Sequence, residues 1–453
     1  MGLKRLVTAG LVTSFGAFTL SLNAFADAPT NSPVVSAPAS NQSAGGPTVW
    51  NANQEISALT PQRELDPEYM AKGIPLGVFR LFPNLVTSVS YDDNVFRQPS
   101  NSGGVKDDFF FTEIPTLILD YETNEAHVDF YADGTFDQYA RLTTVNTKQY
   151  DFGTKGTYQI TRAMTFNGNI SYSQIAEALS SSDTVASQSA PNLYTLFDVS
   201  GQFEYKPNRL GFTAGGSHDE YHFFNTPLFG GGKLYNHDRN NTIDKGFGEA
   251  SYDFSPGYAG YVRATYNNDS FEQYYDRSGY HRDSHGYQVD AGVNLLLGNL
   301  VQGTVYLGYV DQLYSHQQQP GLVPLQDING LDFGANLIWY PTELITVQLT
   351  GSRQIVNTTF AGSSGGDDRN VNLSANWELT RQIWLNANFG YDDTTYKGIN
   401  LDETTPTFGV GMKYIISHYA MAQLSYQYAT RDATFSGLNY NDNLVTLGLN
   451  LQI

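Results

Sequence analysis

The sequence predicts an all-β protein, a transmembrane antiparallel up-and-down β-barrel of about eighteen strands behind a disordered N-terminal extension. Three observations predict it. From about Phe79 to Ile453 apolar and polar residues alternate with period two, as Val445, Leu447, Leu449, Leu451 and Ile453 do against Thr446, Gly448, Asn450 and Gln452. Tight turns and long polar loops alternate strictly between these segments. Charged residues make up only 15% of the 453, while there are 31 Tyr and 43 Gly, so the polarity comes from amides, hydroxyls, glycine and tyrosine.

The same arithmetic excludes other classes. Lys plus Arg number 25 against 45 Asp plus Glu, a net charge of −20, the wrong sign for a nucleic-acid binder. No segment after the first 26 residues offers about 20 continuous apolar residues, so helical membrane spans are excluded. With no cysteine there is no disulfide framework, cysteine nucleophile or lipoprotein anchor.

Residues 1–26 read as a secretory signal peptide. Lys4 and Arg5 precede an apolar run, and Ala24-Phe25-Ala26 supplies a small-x-small site with cleavage after Ala26. Residues 27–73 read as a flexible periplasmic extension. Its first part is rich in Pro, Ser, Ala and Asn and buries too little apolar surface to order. Its second part allows one short helix around Pro61–Lys72, with Thr60 as N-cap and Pro61 at the first position.

Residues 74–453 form the barrel. Short connections carry turn residues at Glu122–Glu125, Thr161–Arg162, Lys206–Arg209, Ser255–Gly257, Gly298–Asn299, Pro341–Glu343, Thr380–Arg381 and Ser417–His418. Long ones run through Gln98–Lys106, Leu142–Lys148, Ala178–Pro191, Asn225–His237, Gln273–Gly279, His316–Gln326, Thr359–Asp368, Gly398–Asn400 and Phe435–Tyr440. An even strand count puts both termini at the short-turn, periplasmic end of a bacterial outer-membrane barrel. In lipid every backbone group needs an internal partner, so the sheet must close on itself. Strand-end tyrosines (Tyr91, Tyr121, Tyr158, Tyr205, Tyr252, Tyr340, Tyr391, Tyr414) are suited to interfacial girdles. The last strand carries Thr446-x-Gly448-x-x-Leu451-x-Ile453, the form of a C-terminal insertion signal with Ile453 at the terminal position. Outer-membrane lipid, lipopolysaccharide and the barrel-assembly machinery are therefore expected partners.

The segment Gly73-Ile74-Pro75-Leu76-Gly77-Val78-Phe79-Arg80-Leu81-Phe82-Pro83, followed by Tyr91-Asp92-Asp93-Asn94-Val95-Phe96, resembles the opening of β-barrel porin family 2. The resemblance covers roughly residues 73–453. It implies an outer-membrane barrel associated with exopolysaccharide biosynthesis, conducting a polymer outward with periplasmic polysaccharide-export proteins as partners. Composition and spacing by themselves indicate a large, polar-lined pore.

Parity along the strands places Asp129, Tyr131, Asp133, Lys155, Arg263, Asp290, Asn294, Gln348, Asn372, Asn376, Glu378, Asn386 and Gln423 toward the lumen. Amides and tyrosines there can bind sugar hydroxyls and stack on sugar rings weakly and repeatedly, as a conducted solute requires. Asp92, Asp93, Asp107, Asp108, Asp367, Asp368, Asp392 and Asp393 cluster at external strand–loop junctions, for which a solvated acidic rim is the simpler reading and divalent-cation binding the other. The loops Asn225–His237 and Ala178–Pro191 are candidates to fold inward.

No metal site, cofactor or catalytic set is expected, and the protein reads as no enzyme. His218 and His222, four residues apart on a strand, stand about 13 Å apart and cannot share an ion. Two rivals to polymer export remain. A general or small-sugar diffusion porin would show an inward loop and an eyelet of opposed charges. An occluded adhesin or structural barrel would not conduct.

Overall fold

The computed structural model describes residues 48–51, 71–100, 104–185, 187–297 and 300–453. The signal peptide, the linker and nearly all of the helix at 61–72, all expected from the sequence, lie outside the described residues.

Period-two alternation lets each segment bury one face and present the other, and pairing with both neighbours then satisfies its backbone. Twenty strands share one hydrogen-bonded sheet, and apart from two short ones, Thr48–Asn51 and Ile74–Leu76, eighteen form the wall. These are β1 (Phe79–Asp92), β2 (Asp108–Glu122), β3 (Ala126–Tyr139), β4 (Thr147–Thr161), β5 (Met164–Ala176) and β6 (Leu193–Tyr205). Then come β7 (Leu210–Phe223), β8 (Asn241–Ser255), β9 (Tyr258–Phe271), β10 (Ser284–Leu297), β11 (Val301–Tyr314) and β12 (Ile328–Thr342). The wall ends with β13 (Ile345–Val356), β14 (Gly366–Glu378), β15 (Ile383–Tyr396), β16 (Asp402–Ser417), β17 (Ala420–Ala433) and β18 (Tyr440–Gln452). Each pairs antiparallel with the next, and β18 pairs with β1 from Leu444↔Asp92 to Gln452↔Asn84, which closes the cylinder. Short and long connections alternate, so both ends of the wall lie at the short-turn, periplasmic side. The turn between β8 and β9 needs glycine: Gly257 has φ +85°, and a Cβ there would meet the Leu296 carbonyl oxygen at 2.2 Å.

Apolar side chains face out and polar ones face in, the inverse of a soluble sandwich. On β18 Leu447 is 61% exposed, while its inward neighbour Thr446 is 3% exposed. Tyr158, Tyr205, Tyr252, Tyr391 and Tyr414 are exposed on the outer surface. Tyr340 departs from the girdle expectation. The register shifts between Trp339 and Thr342. Trp339 takes the outer position, and Tyr340 accepts a 2.9 Å hydrogen bond from the Gln302 amide. No helix among the described residues is long and apolar enough to cross a membrane.

The family-opening motif sits at the closing seam. Asp92 accepts from the Asn94 backbone N–H (2.8 Å) and pairs with Arg97 (2.9 Å), which also reaches Asp442 of β18 at 3.0 Å. Asp93 accepts from the Asn443 backbone N–H and side-chain amide, each at 2.7 Å. The Asn94 amide donates to the Asn441 carbonyl at 2.8 Å. Tyr91 packs on Phe109 at 4.9 Å. Below, Gly73 N–H donates to the Ile453 carbonyl (3.1 Å), and Ile453 N–H donates to that of Pro83 (3.3 Å). First and last strands are thus clasped at both ends. Gly448 lies opposite Gln423 on the lumen side, and Leu451 and Ile453 are exposed.

Candidate functional site

All thirteen residues assigned inward by parity lie on strands, on the face opposite the exposed apolar belt. Tyr131 and Asp290 are buried; the other eleven are part-exposed. Lys155 stands 3.8 Å from Asp129, Arg263 pairs with Glu249 at 2.7 Å, and Gln348 donates to Asn336 at 3.2 Å. Asn372 lies opposite Thr350, and Asn376 opposite Asn386. Asn294 is on β10, Glu378 ends β14, Gln423 is on β17, and Asp133 faces Asp151 across the β3–β4 ladder.

The long loops fold into the external half. The β5–β6 loop (177–192) crosses to the far wall: the Ser182 hydroxyl donates to Glu403 of β16, and Arg431 of β17 donates to the Ser180 carbonyl. Arg431 Nε also lies 3.9 Å from Glu403 and its guanidinium over the Tyr440 ring. Asp183 Oδ1 accepts from the Thr358 hydroxyl (2.9 Å) and from the Thr359 N–H and hydroxyl (3.0 Å each) in the β13–β14 loop. Arg239 in the β7–β8 loop grips Glu177 with two bonds, at 2.8 and 3.0 Å, and stacks over Phe223 at 4.1 Å. A bidentate guanidinium–carboxylate pair fixes direction as well as distance.

Two further arginines knit the other loops to this latch. Arg277 pairs with Asp238 at 2.6 Å. Arg282 pairs with Asp276 at 2.5 Å and donates to the Ser363 and Phe360 carbonyls at 3.0 Å each. A small polar cavity opens between these loops, lined by Asp183, Asp238, Arg239, Arg277, Arg282 and Thr358 among others. Charge placement shifts the loop groups. Burial pushes the Asp183 carboxyl up to about 6, against the pull of Arg239 at 3.8 Å. Although burial opposes it, the bonds from Arg277 hold Asp238 below the usual carboxylate range. Likewise against burial, Glu177 and Asp183 hold Arg239 above its ordinary value.

Three differences from the sequence expectation matter. The acidic rim is not uniformly solvated: Asp92, Asp108, Asp368 and Asp392 are buried. They occupy inward positions and are enclosed by the loops, whereas Asp107 stays exposed and Asp393 part-exposed. The basic groups within the barrel are not confined to Lys155 and Arg263, because Arg239, Arg282 and Arg431 enter from loops and from the end of β17. Loop residues have no period-two signal, so only their opposite charges hinted at the latch. Finally, inward carboxylates at Asp151, Asp198, Asp219 and Asp332 escaped notice, although the same parity would have found them.

His218 and His222 sit exposed on β7 and pair separately, with Asp244 at 2.7 Å and Glu272 at 3.2 Å. Two groups among the described residues could offer three ligand atoms to a metal, Asp120–His127–Asp129 and Asp92–Asp93–Asp442. Both hold a cationic or protonatable partner already: His127 lies 2.9 Å from Asp120, and Arg97 sits between Asp92 and Asp442.

A closed wall with an apolar belt outside, amides and carboxylates inside and external loops folded inward defines an outer-membrane porin-type barrel. The chain belongs to the family described as Putative beta-barrel porin 2, which matches residues 66–453. Both termini are periplasmic, and the surroundings are those of such barrels: outer-membrane lipid, lipopolysaccharide and the assembly machinery.

Solved structures with similar barrels include the outer membrane protein OpdK from Pseudomonas aeruginosa, at 10% identity and TM-score 0.41, covering 82% of this chain and 99% of that one. A BenF-like porin from Pseudomonas fluorescens Pf-5 has 10% identity and TM-score 0.43, over 82% and 99%. The copper transporter OprC has 7% identity and TM-score 0.46, over 84% and 82%. At such identity and overlap these likenesses say nothing about what passes through this chain. No curated protein matches the sequence.

Proposed function

We propose that the protein is a passive diffusion porin for small hydrophilic solutes, sugars among them. The observation that carries this reading is the loop 177–192 fastened across the external half to Glu403 and Arg431. A wall of eighteen strands is wide enough for an aqueous channel. A strap across it narrows the path, so that small solutes pass beside it and large ones do not. In this reading Asn294, Gln348, Asn372, Asn376, Asn386 and Gln423 give the solute weak, exchangeable hydrogen bonds, and Asp129, Tyr131, Asp133, Lys155, Arg263, Asp290 and Glu378 set the polarity of the wall.

Export of an exopolysaccharide with periplasmic partners, the expectation attached to the family resemblance, requires this strap to come away before a polymer can thread. The test is swelling of proteoliposomes in sugars of graded size. Mono- and disaccharides are expected to enter and long oligosaccharides to be excluded. Entry of long oligosaccharides favours the polymer channel, and no entry of any sugar favours an occluded structural barrel.

A further inference from the structure

We infer that the lumen is cation-selective, its selectivity set by carboxylate pairs that nearby strands hold face to face on the inner wall. The inference rests on the diffusion reading above and names the charge class of solute it favours. Asp133 of β3 lies directly opposite Asp151 of β4 in the ladder, and Asp198 of β6 directly opposite Asp219 of β7. Asp290 of β10 and Asp332 of β12 flank Gly308 of β11, which is register partner to both. Gly308 keeps that pair together: a Cβ there would lie 2.1 Å from Asp290 Oδ1.

Like charges directly opposed on one face of a sheet destabilise it. The cost falls when something positive sits between them. Neutral donors partly serve: Ser173 bonds Asp151 at 2.8 Å, Asn169 bonds Asp198, and the Gln288 amide bonds both Asp290 and Asp332. Fixed cations serve less. Lys245 stands 3.9 Å from Asp219, and Arg263, register partner of Asp290, turns its guanidinium to Glu249 at 2.7 Å. Asp151 Oδ2 and Asp290 Oδ1 have no hydrogen-bond partner, although these residues are only 7% and 5% exposed. Acceptors with no donor beside a second carboxylate leave negative charge uncompensated at the inner wall, which favours cations over anions in the lumen. A cleft lined by one sign of charge between low-dielectric walls concentrates its counter-ions.

The experiment is the reversal potential of the full-length protein in a planar bilayer, with dilute KCl on one side and concentrated KCl on the other. K+ is expected to permeate at least about 10-fold better than Cl−. Asp151→Asn, Asp219→Asn and Asp332→Asn together, one from each pair, are expected to lower that preference several-fold. Asp311→Asn, on the outer face, leaves it unchanged. Should the triple variant fail to fold, wild type measured in molar salt serves instead. There the Debye length falls to about 3 Å and the preference collapses if it is electrostatic. A preference for Cl−, or a K+ preference indifferent to both the triple substitution and salt, overturns the inference while leaving the porin reading intact. Absence of any conductance overturns both.

Discussion

On β15 the inward residues Asp392 and Thr394 are buried, while Asn386, farther down the same face, is part-exposed. In the external half the inward side chains are covered by loops and tied by arginine–carboxylate pairs, and in the periplasmic half part-exposed Asn386 and Gln423 stand among buried Ile415, Met421 and Asn450. The same alternating code produces both halves. What differs is the connections: short periplasmic turns cannot reach inward, while external loops of a dozen residues can. The alternation therefore specifies the wall, and the loops specify what covers its external half.

The comparison predicts large effects above and small ones below. Arg239→Ala removes the partner of buried Glu177 and leaves its charge uncompensated, a loss of about 3–5 kcal/mol for such pairs. The strap should loosen, and bilayer conductance and the sugar size limit should both rise. Unchanged conductance would mean that the strap does not bound the path. Arg97→Ala breaks the contact to Asp92 and Asp442 at the seam. It should lower the temperature at which the barrel unfolds on heated gels without altering the conductance of the molecules that insert. A changed conductance at native stability would move Arg97 from the seam to the path.

A smaller effect concerns acidity. In the closed strap Asp183 titrates at about 6, above its ordinary 3.8, so closure binds the proton more tightly than opening does. The sign follows: this contribution to closure is fully present below the ordinary value and is lost as pH rises through about 6. Conductance should fall on acidification between these limits, and Asp183→Asn should abolish the fall. Smallest of all, Asn372→Ala at the part-exposed middle of β14 should change stability by no more than about 0.5 kcal/mol, measured by denaturant unfolding in detergent. A larger loss would show that the periplasmic wall is tied as tightly as the external one.

Much of this could be read from the residues. Val445 to Ile453 already gave the last strand and its outward face, and the turns at Lys206–Arg209 and Ser417–His418 gave the connectivity. Asn372 and Asn376 fell on the inner face because a strand's parity leaves no other choice. Tyr340 did not follow, because plain alternation after outward Trp339 puts it on the inner face, where Gln302 bonds it. The latch was illegible for a different reason. Ser182 and Glu403 are far apart in sequence, and nothing local marks either one, so only the closed cylinder brings them together. Buried Asp368 and Asp392 had the sequence signature of a surface rim, since exposure there depends on loops that carry no periodic pattern. The Tyr91–Asn94 motif was visible as a family mark, but its role at the seam needed the β1–β18 pairing.

The central claim is that small solutes pass while the strap stays fastened. The chain has no cysteine, so Ser182→Cys with Glu403→Cys can be joined by a short thiol-reactive linker in the folded barrel. Sugar flux into liposomes is then compared before and after joining. Undiminished entry of small sugars through the tethered barrel is the predicted result; entry that stops on tethering and resumes when the linker is cleaved would contradict it.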